Sequence, residues 1–423
     1  MSTRPAIRGA VVTPIAFPDP PLLNANGVHQ PWALRSIIEL RAGGELVGLG
    51  ESYGDEPHLA LLHRAAAALV GLDPFDLADL RRRVAGALGA GLDVPDRHGL
   101  TGGSSPAKTL ARVLSPFEVA CLDLQGKLTD RPVCDLLGGR ARDRVPFSAY
   151  LFYKWAAHPG AEPDEWGEAL DPDQIVAQAR RMVQRYGFRS IKLKGGVFPP
   201  DQEIAAIRAL RTEFPDHPLR LDPNTAWTVP TSVKVAAETE GLLEYLEDPT
   251  EGIAGMAEVA AHASMPLATN MCVIQFADLP EAFARRAVGV VLADHHYWGG
   301  LRAATELAAI CRTWDVGVSM HSNSHLGISL AAMTHLAAAT PNLTYAVDTH
   351  TPWQCGVDVV RAPLRFSGGS IEVPNRPGLG VELDRDALAR MNADYLRCGV
   401  RERDDTTYMR TIRPDFVGKL PRW

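Results

Sequence analysis

The sequence predicts a (β/α)8 barrel, of the TIM type, fitted with an α+β cap. Three observations lead there. From about residue 145, short runs rich in β-branched and aromatic residues alternate with stretches of helical period. Eight such runs precede residue 365, one for each strand of a closed parallel barrel. From the second run onward each ends on a polar residue, at positions 194, 222, 247, 270, 294, 321 and 350. The steps of 28, 25, 23, 24, 27 and 29 residues keep the period of one strand–loop–helix unit.

Taken in order, residues 1–140 are expected to form the cap. "AIRGAVVTPIAF", "WALRSIIELRAG" and "ELVGLGESYG" alternate as strands, with Gly43 and Gly44 turning between the last two. Helical patterns follow at 58–71, at 73–88 and at 115–130, the last opening on Ser115-Pro116. Strands first and helices after suit an α+β unit. Residues 141–365 carry the barrel. Its strands are "VPFSAYLF", "SIKLKG", "LRLDPN", "LEYLED", "PLATN", "VVLAD", "GVSMHS" and "TYAVDT". Helices are expected at 171–186, 200–213, 231–241, 252–262, 278–285, 299–313 and 327–339. The remaining segment, 366–423, is too irregular for another repeat.

Composition narrows the partners. Lys plus Arg is 43 against 50 Asp plus Glu, a net charge of −7 without a basic block, which excludes nucleic acid. No stretch reaches membrane-spanning length. The six cysteines are scattered, with no CxxC pair, as in reduced intracellular proteins. A cytoplasmic enzyme is expected.

The chemistry sits at the strand ends, where barrel active sites are built. In "SIKLKG" the side chains of Ser190, Lys192 and Lys194 share one face and Ile191 and Leu193 take the other. Two ammonium groups on one face call for an anion between them, or for one of the two to be kept neutral. Asp222, Glu247 and Asn270 end three successive strands and offer only oxygen donors, a set suited to a hard cation such as Mg2+. Glu251, four residues past Glu247, is the alternative to Glu247 as ligand or a cap on the next helix. Lys194 and His321 end strands on opposite sides of this trio. Asp294, one strand before His321, is placed to hold the imidazole tautomer. His325 is expected inside the following helix as a core or capping residue.

These residues resemble the enolase superfamily. The set Lys-x-Lys, Asp-x-Asn, Glu-Asp-Pro, Thr-Asn, Asp and His on successive strands is similar to its pattern. "IKLKGGV", "LDPNTAW", "ATNM", "LADHHYW", "HSNSHLGISLAAMTHLAAA", "DTH" and "LLNANGVH" are similar to its glucarate dehydratase subgroup. The resemblance implies a cap completed by the chain's end, a homo-oligomer, and a Mg2+-dependent hydro-lyase acting on aldaric acids. The implied substrate is D-glucarate, or L-idarate, giving 5-dehydro-4-deoxy-D-glucarate. Asp222, Glu247 and Asn270 would hold the metal. Lys194 and His321 would be the two bases, Asp294 the partner of His321, and Lys192 the electrostatic clamp. Asn224 joins this catalytic set. Asn24, His29, Thr109, Tyr150, Ser322, Asn323, His350 and Arg403 fall where the subgroup contacts substrate, with Arg403 gripping the distal carboxylate.

Three other readings use the same residues. A Schiff-base aldolase needs a lysine of depressed pKa and no metal trio. A superfamily epimerase needs the two opposed bases alone. A non-catalytic paralogue would bind sugar acids without turnover.

Overall fold

The structure is a computed structural model and describes residues 5–43, 45–89 and 103–423. Three antiparallel strands, β1 (Gly9–Pro18), β2 (Trp32–Arg41) and β3 (Val47–Tyr53), form the cap sheet with β2 central. Arg41 pairs with Val47, so the chain reverses where the glycine pair was expected, although Gly44 lies outside the described residues. Helices α1 (Glu56–Ala67), α2 (Leu77–Leu88) and α3 (Pro106–Thr129) follow.

The expected start of α3 is corrected. The helix runs 24 residues and passes through Pro116. Its start is an earlier Ser-Pro pair. Ser105 accepts a bond from Lys108 N–H, and Pro106 occupies the first turn, where a missing N–H costs nothing. Burial of Val113 to Gly126 overrides the break at Pro116.

The barrel strands are β4 (Ala149–Phe152), β5 (Ile191–Lys194), β6 (Leu219–Asp222), β7 (Tyr245–Glu247), β8 (Leu267–Thr269), β9 (Val290–Leu292) and β10 (Gly317–Ser319). They form one parallel sheet in sequence order. The eighth run is not a regular strand. It closes the circle by parallel bridges, Leu343 to Val318 on one side and Val347 to Phe147 on the other. Seven helices cover the outside: α4 (Pro172–Tyr186), α5 (Pro200–Glu213), α6 (Val229–Glu238), α7 (Gly252–Ala260), α8 (Leu279–Ala284), α9 (Leu301–Thr313) and α10 (Gly327–Ala339). Local signals set their ends. In α4, Asp171 caps Gln174 N–H, Pro172 opens the first turn, and Gly187 stops the helix at φ 73°.

The chain's end returns to the cap. Helix α11 (Arg385–Arg397) lies on β1, with Asn392 Nδ2 donating to Pro14 O at 2.7 Å and Arg385 paired with Glu39 at 2.6 Å. Helix α12 (Asp405–Ile412) packs on the loop at 24–28, where Thr406 Oγ1 donates to Asn26 O at 2.6 Å. The last residues reach the barrel mouth, with Arg422 N–H bonded to Ala226 O at 2.7 Å. The six cysteines are unpaired, and no described helix is long and apolar enough to cross a membrane.

Candidate active site

Parallel register assembles the site. Lys192 stands beside Tyr150 and Arg220, and Lys194 beside Phe152 and Asp222. The two glycines after Lys194 let the chain turn in tight quarters. A Cβ on Gly196, which has φ 73°, would lie 2.2 Å from Pro223 O. Glu203 fixes that turn by accepting from the N–H groups of Gly196, Val197 and Phe198 at 2.9–3.0 Å.

Lys192 is fully buried. Its Nζ lies 2.7 Å from Glu247 Oε1, 2.7 Å from Asp348 Oδ2 and 3.2 Å from Asp222 Oδ2, above the Tyr150 ring. Burial pulls its pKa down, but Asp348, Glu247 and Asp222 outweigh it and raise it well above the ordinary lysine value. Lys192 is therefore a fixed cation. Lys194 Nζ donates to Asp222 Oδ2 at 2.7 Å and to Asn224 Oδ1. Asn224 itself sits in the left-handed region, φ 54°, held by its N–H on Asp222 Oδ1 at 3.1 Å.

The oxygen donors fit a hard cation. Burial raises both Asp222 and Glu247, but Lys194 and Lys192 bring Asp222 well below the usual carboxylate range. For Glu247, burial and the neighbouring Asp222 charge win, and its carboxyl stands well above that range. Glu247 Oε2, 2.6 Å from Lys192 Nζ, and Asp348 Oδ1, 3.6 Å from Arg220 Nη1, are ion-paired but buried without an aligned donor. A cluster with more carboxylates than ammonium groups gains from a divalent ion. Asn270, 8 % exposed, is positioned through its backbone, whose N–H donates to Asp248 Oδ2 at 2.9 Å. Glu251 is exposed, makes no cap bond, and faces a neighbouring cavity with Thr225, Met271 and Cys272.

Across the site, His321 Nδ1 lies 3.4 Å from Asp294 Oδ2, and Asp294 accepts His296 N–H at 2.9 Å through its other oxygen. His325 precedes α10 rather than lying within it. Its ring is buried behind Asp294, with Nε2 at 3.8 Å, and Nδ1 meets Met333 Sδ at 3.0 Å. One cavity is lined by Lys194, Asn224 and His321 at the strand ends. Asn24 and His29 from the cap, Tyr150, Phe152 and His350 from the barrel wall, Ser322 and Asn323 after β10, and Arg403 from the C-terminal segment complete it. Thr109 is buried in the first turn of α3 and does not line this cavity.

Sequence reasoning missed Asp348. It sits in the irregular eighth run, two residues before His350, and holds Lys192. It also missed Arg35 and Glu51, a fully buried pair from the cap sheet. Glu51 accepts the N–H groups of Leu326 and Ser329 at 2.9 and 2.8 Å, capping α10. No local pattern announces that contact between distant segments.

The family model described as enolase C-terminal domain-like matches residues 174–387. A Streptomyces coelicolor protein named probable glucarate dehydratase is 54 % identical, over 97 % of each chain. A Thermobispora bispora enolase crystallised with magnesium and formate superimposes with a TM-score of 0.97 at 62 % identity, over 99 % of this chain and 100 % of that one. A Mycobacterium smegmatis enolase in complex with tartrate gives 0.96 at 63 %, over the whole of both. On these matches, and on the capped barrel that carries its polar residues at the strand ends, this chain belongs to the enolase superfamily.

Proposed function

We propose that the protein is a Mg2+-dependent acid-sugar dehydratase whose substrate is D-glucarate, with L-idarate accepted as its epimer. The observation that carries this reading is the meeting of Lys194 and the His321–Asp294 pair in one cavity. Two bases from different strands give access to either epimer at the carbon next to a carboxylate. The Streptomyces coelicolor relative's name points to the same substrate.

Asp222, Glu247 and Asn270 would hold Mg2+, which supplies positive charge beside the substrate carboxylate. Lys194 or His321 takes the α-proton, and the C–H electron pair moves into the carboxylate to give an enediolate. Lys192, a permanent cation, stabilises the developing charge. The returning electron pair expels the β-hydroxyl, which leaves as water with a proton from the His321 imidazolium. That is the α-proton itself when His321 is the base, and, when neutral Lys194 is the base and keeps the α-proton, a proton that His321 already carries beside Asp294. Asp294 steadies that imidazolium throughout. The enol product tautomerises to the α-keto acid.

The test is keto-acid formation, read as semicarbazone absorbance, from a panel of aldarates and aldonates with Mg2+. Glucarate and idarate are expected to turn over, EDTA to stop the reaction, and Lys194→Ala to lower kcat by about 10^3-fold, within the usual range for a general base. Turnover of another diacid alone would replace the substrate. Exchange of the α-hydrogen in D2O without keto acid would make the protein an epimerase.

A further inference from the structure

We infer that Asp405 is the positioning residue for Arg403, and through it the determinant of preference for a substrate with two carboxylates; this rests on the acid-sugar reading above. Asp405 opens α12 with its side chain fully buried. It accepts Arg403 Nη2 at 2.6 Å and Nε at 3.0 Å, so one edge of the guanidinium is fully engaged. The other end, Nη1, is left at the cavity, 3.5 Å from Asn323 Oδ1. A guanidinium held along one edge offers its remaining donors in a single direction.

Two further contacts make the frame rigid. Asp405 Oδ2 also accepts Asn24 Nδ2 at 2.7 Å, which ties Arg403 to the cap loop that lines the same cavity. The backbone around Arg403 is pinned to the cap by Arg403 N–H on Asp55 Oδ1 and Asp404 N–H on Gln30 Oε1, both at 2.8 Å. Asp405 does not line the cavity itself. Its carboxylate is the buried counter-ion that lets Arg403 stay in place at the mouth. Burial opposes that charge, but Arg403 and His29 hold the Asp405 carboxyl down to about 2. A free arginine side chain would have to be ordered at each binding event, and Asp405 does this in advance. The chemistry recognised at Nη1 is an anion at the far end of the sugar acid.

The test uses the full chain with saturating Mg2+. Wild type, D405N, R403M and the double variant are titrated calorimetrically with D-glucarate, which has two carboxylates, and D-gluconate, which has one. Glucarate turnover is measured alongside. D405N is expected to raise KM for glucarate at least tenfold with less than a threefold fall in kcat, and to change the gluconate Kd by less than twofold. The double variant should be no worse than R403M alone, because both act through one group. Equal losses for both acids, or additive losses in the double variant, would overturn the inference. If wild type handles no aldarate, the functional reading fails on its own. Asp405 is then judged by the crystal structure of D405N, where Arg403 remaining beside Asn323 would overturn the positioning role.

Discussion

At the scale of single residues, the site is a problem in charge balance. Lys192 is shared among Glu247, Asp348 and Asp222, and the carboxylates outnumber the ammonium groups that meet them. A bound divalent ion should therefore stabilise the fold as well as serve the chemistry. At about 100 times its Kd, Mg2+ is expected to add about 2.7 kcal/mol of stability by mass action. Thermal unfolding with and without Mg2+ reads this, and Asp222→Asn should abolish it. The same titration separates the two glutamates. Glu247→Gln is expected to raise the Mg2+ concentration for half-maximal stabilisation at least tenfold, while Glu251→Gln, at an exposed position, leaves it within twofold. The reverse pattern would assign the third oxygen to Glu251.

At the scale of elements, helix ends are satisfied from a distance. Helix α9 begins after Gly300, which has no side chain to cap it. Glu118 on α3 does so instead, accepting Leu301 N–H at 2.9 Å and Arg302 N–H at 3.1 Å. A Cβ on Gly300 would lie 2.4 Å from that carboxylate. Burial pushes the Glu118 carboxyl up from 4.5 to about 7. Between those values the folded chain binds more protons than the unfolded one, so this group's contribution is full below pH 4.5 and is lost as pH rises through 7. Urea midpoints at pH 5 and pH 7.5 should fall more in wild type than in Glu118→Gln. Equal slopes would mean that other groups set the dependence.

At the scale of the whole molecule, cap and barrel are joined by buried charge. Arg35 and Glu51 pair at 2.9 Å with almost no exposure. Glu51 also caps α10, and Arg35 Nη2 reaches His296 Nε2 at 3.3 Å, behind the Asp294–His321 pair. Removing one partner of such a pair leaves the other uncompensated. Glu51→Ala is expected to cost about 3–5 kcal/mol, the usual loss for a broken buried pair. It should also slow turnover, because α10 follows the loop that carries His321, Ser322 and Asn323. Calorimetry and kcat, measured together, check both. Loss of stability with unchanged kcat would confine Glu51 to a structural role.

The sequence by itself determined the architecture and most of the cavity wall. Strand ends recur at the period of the repeat, and alternation places Lys192 and Lys194 on one face whatever surrounds them. That rule does not reach Asp348, because the eighth run is irregular and His350 has helical backbone angles, so only the tertiary structure brings Asp348 to Lys192. The start of α3 was misread because two Ser-Pro pairs carry the same local signal, and only the packing of the helix against the cap sheet selects the first. Tertiary structure alone decided which charges meet. Glu118, Glu51, Arg35 and Asp405 act on residues 183, 275, 261 and 381 positions away. Such contacts leave no period in the chain, because they follow from where elements stack rather than from the repeat within any one of them. For the same reason the irregular C-terminal segment, featureless as a pattern, supplies Arg403 and its anchor to the cavity.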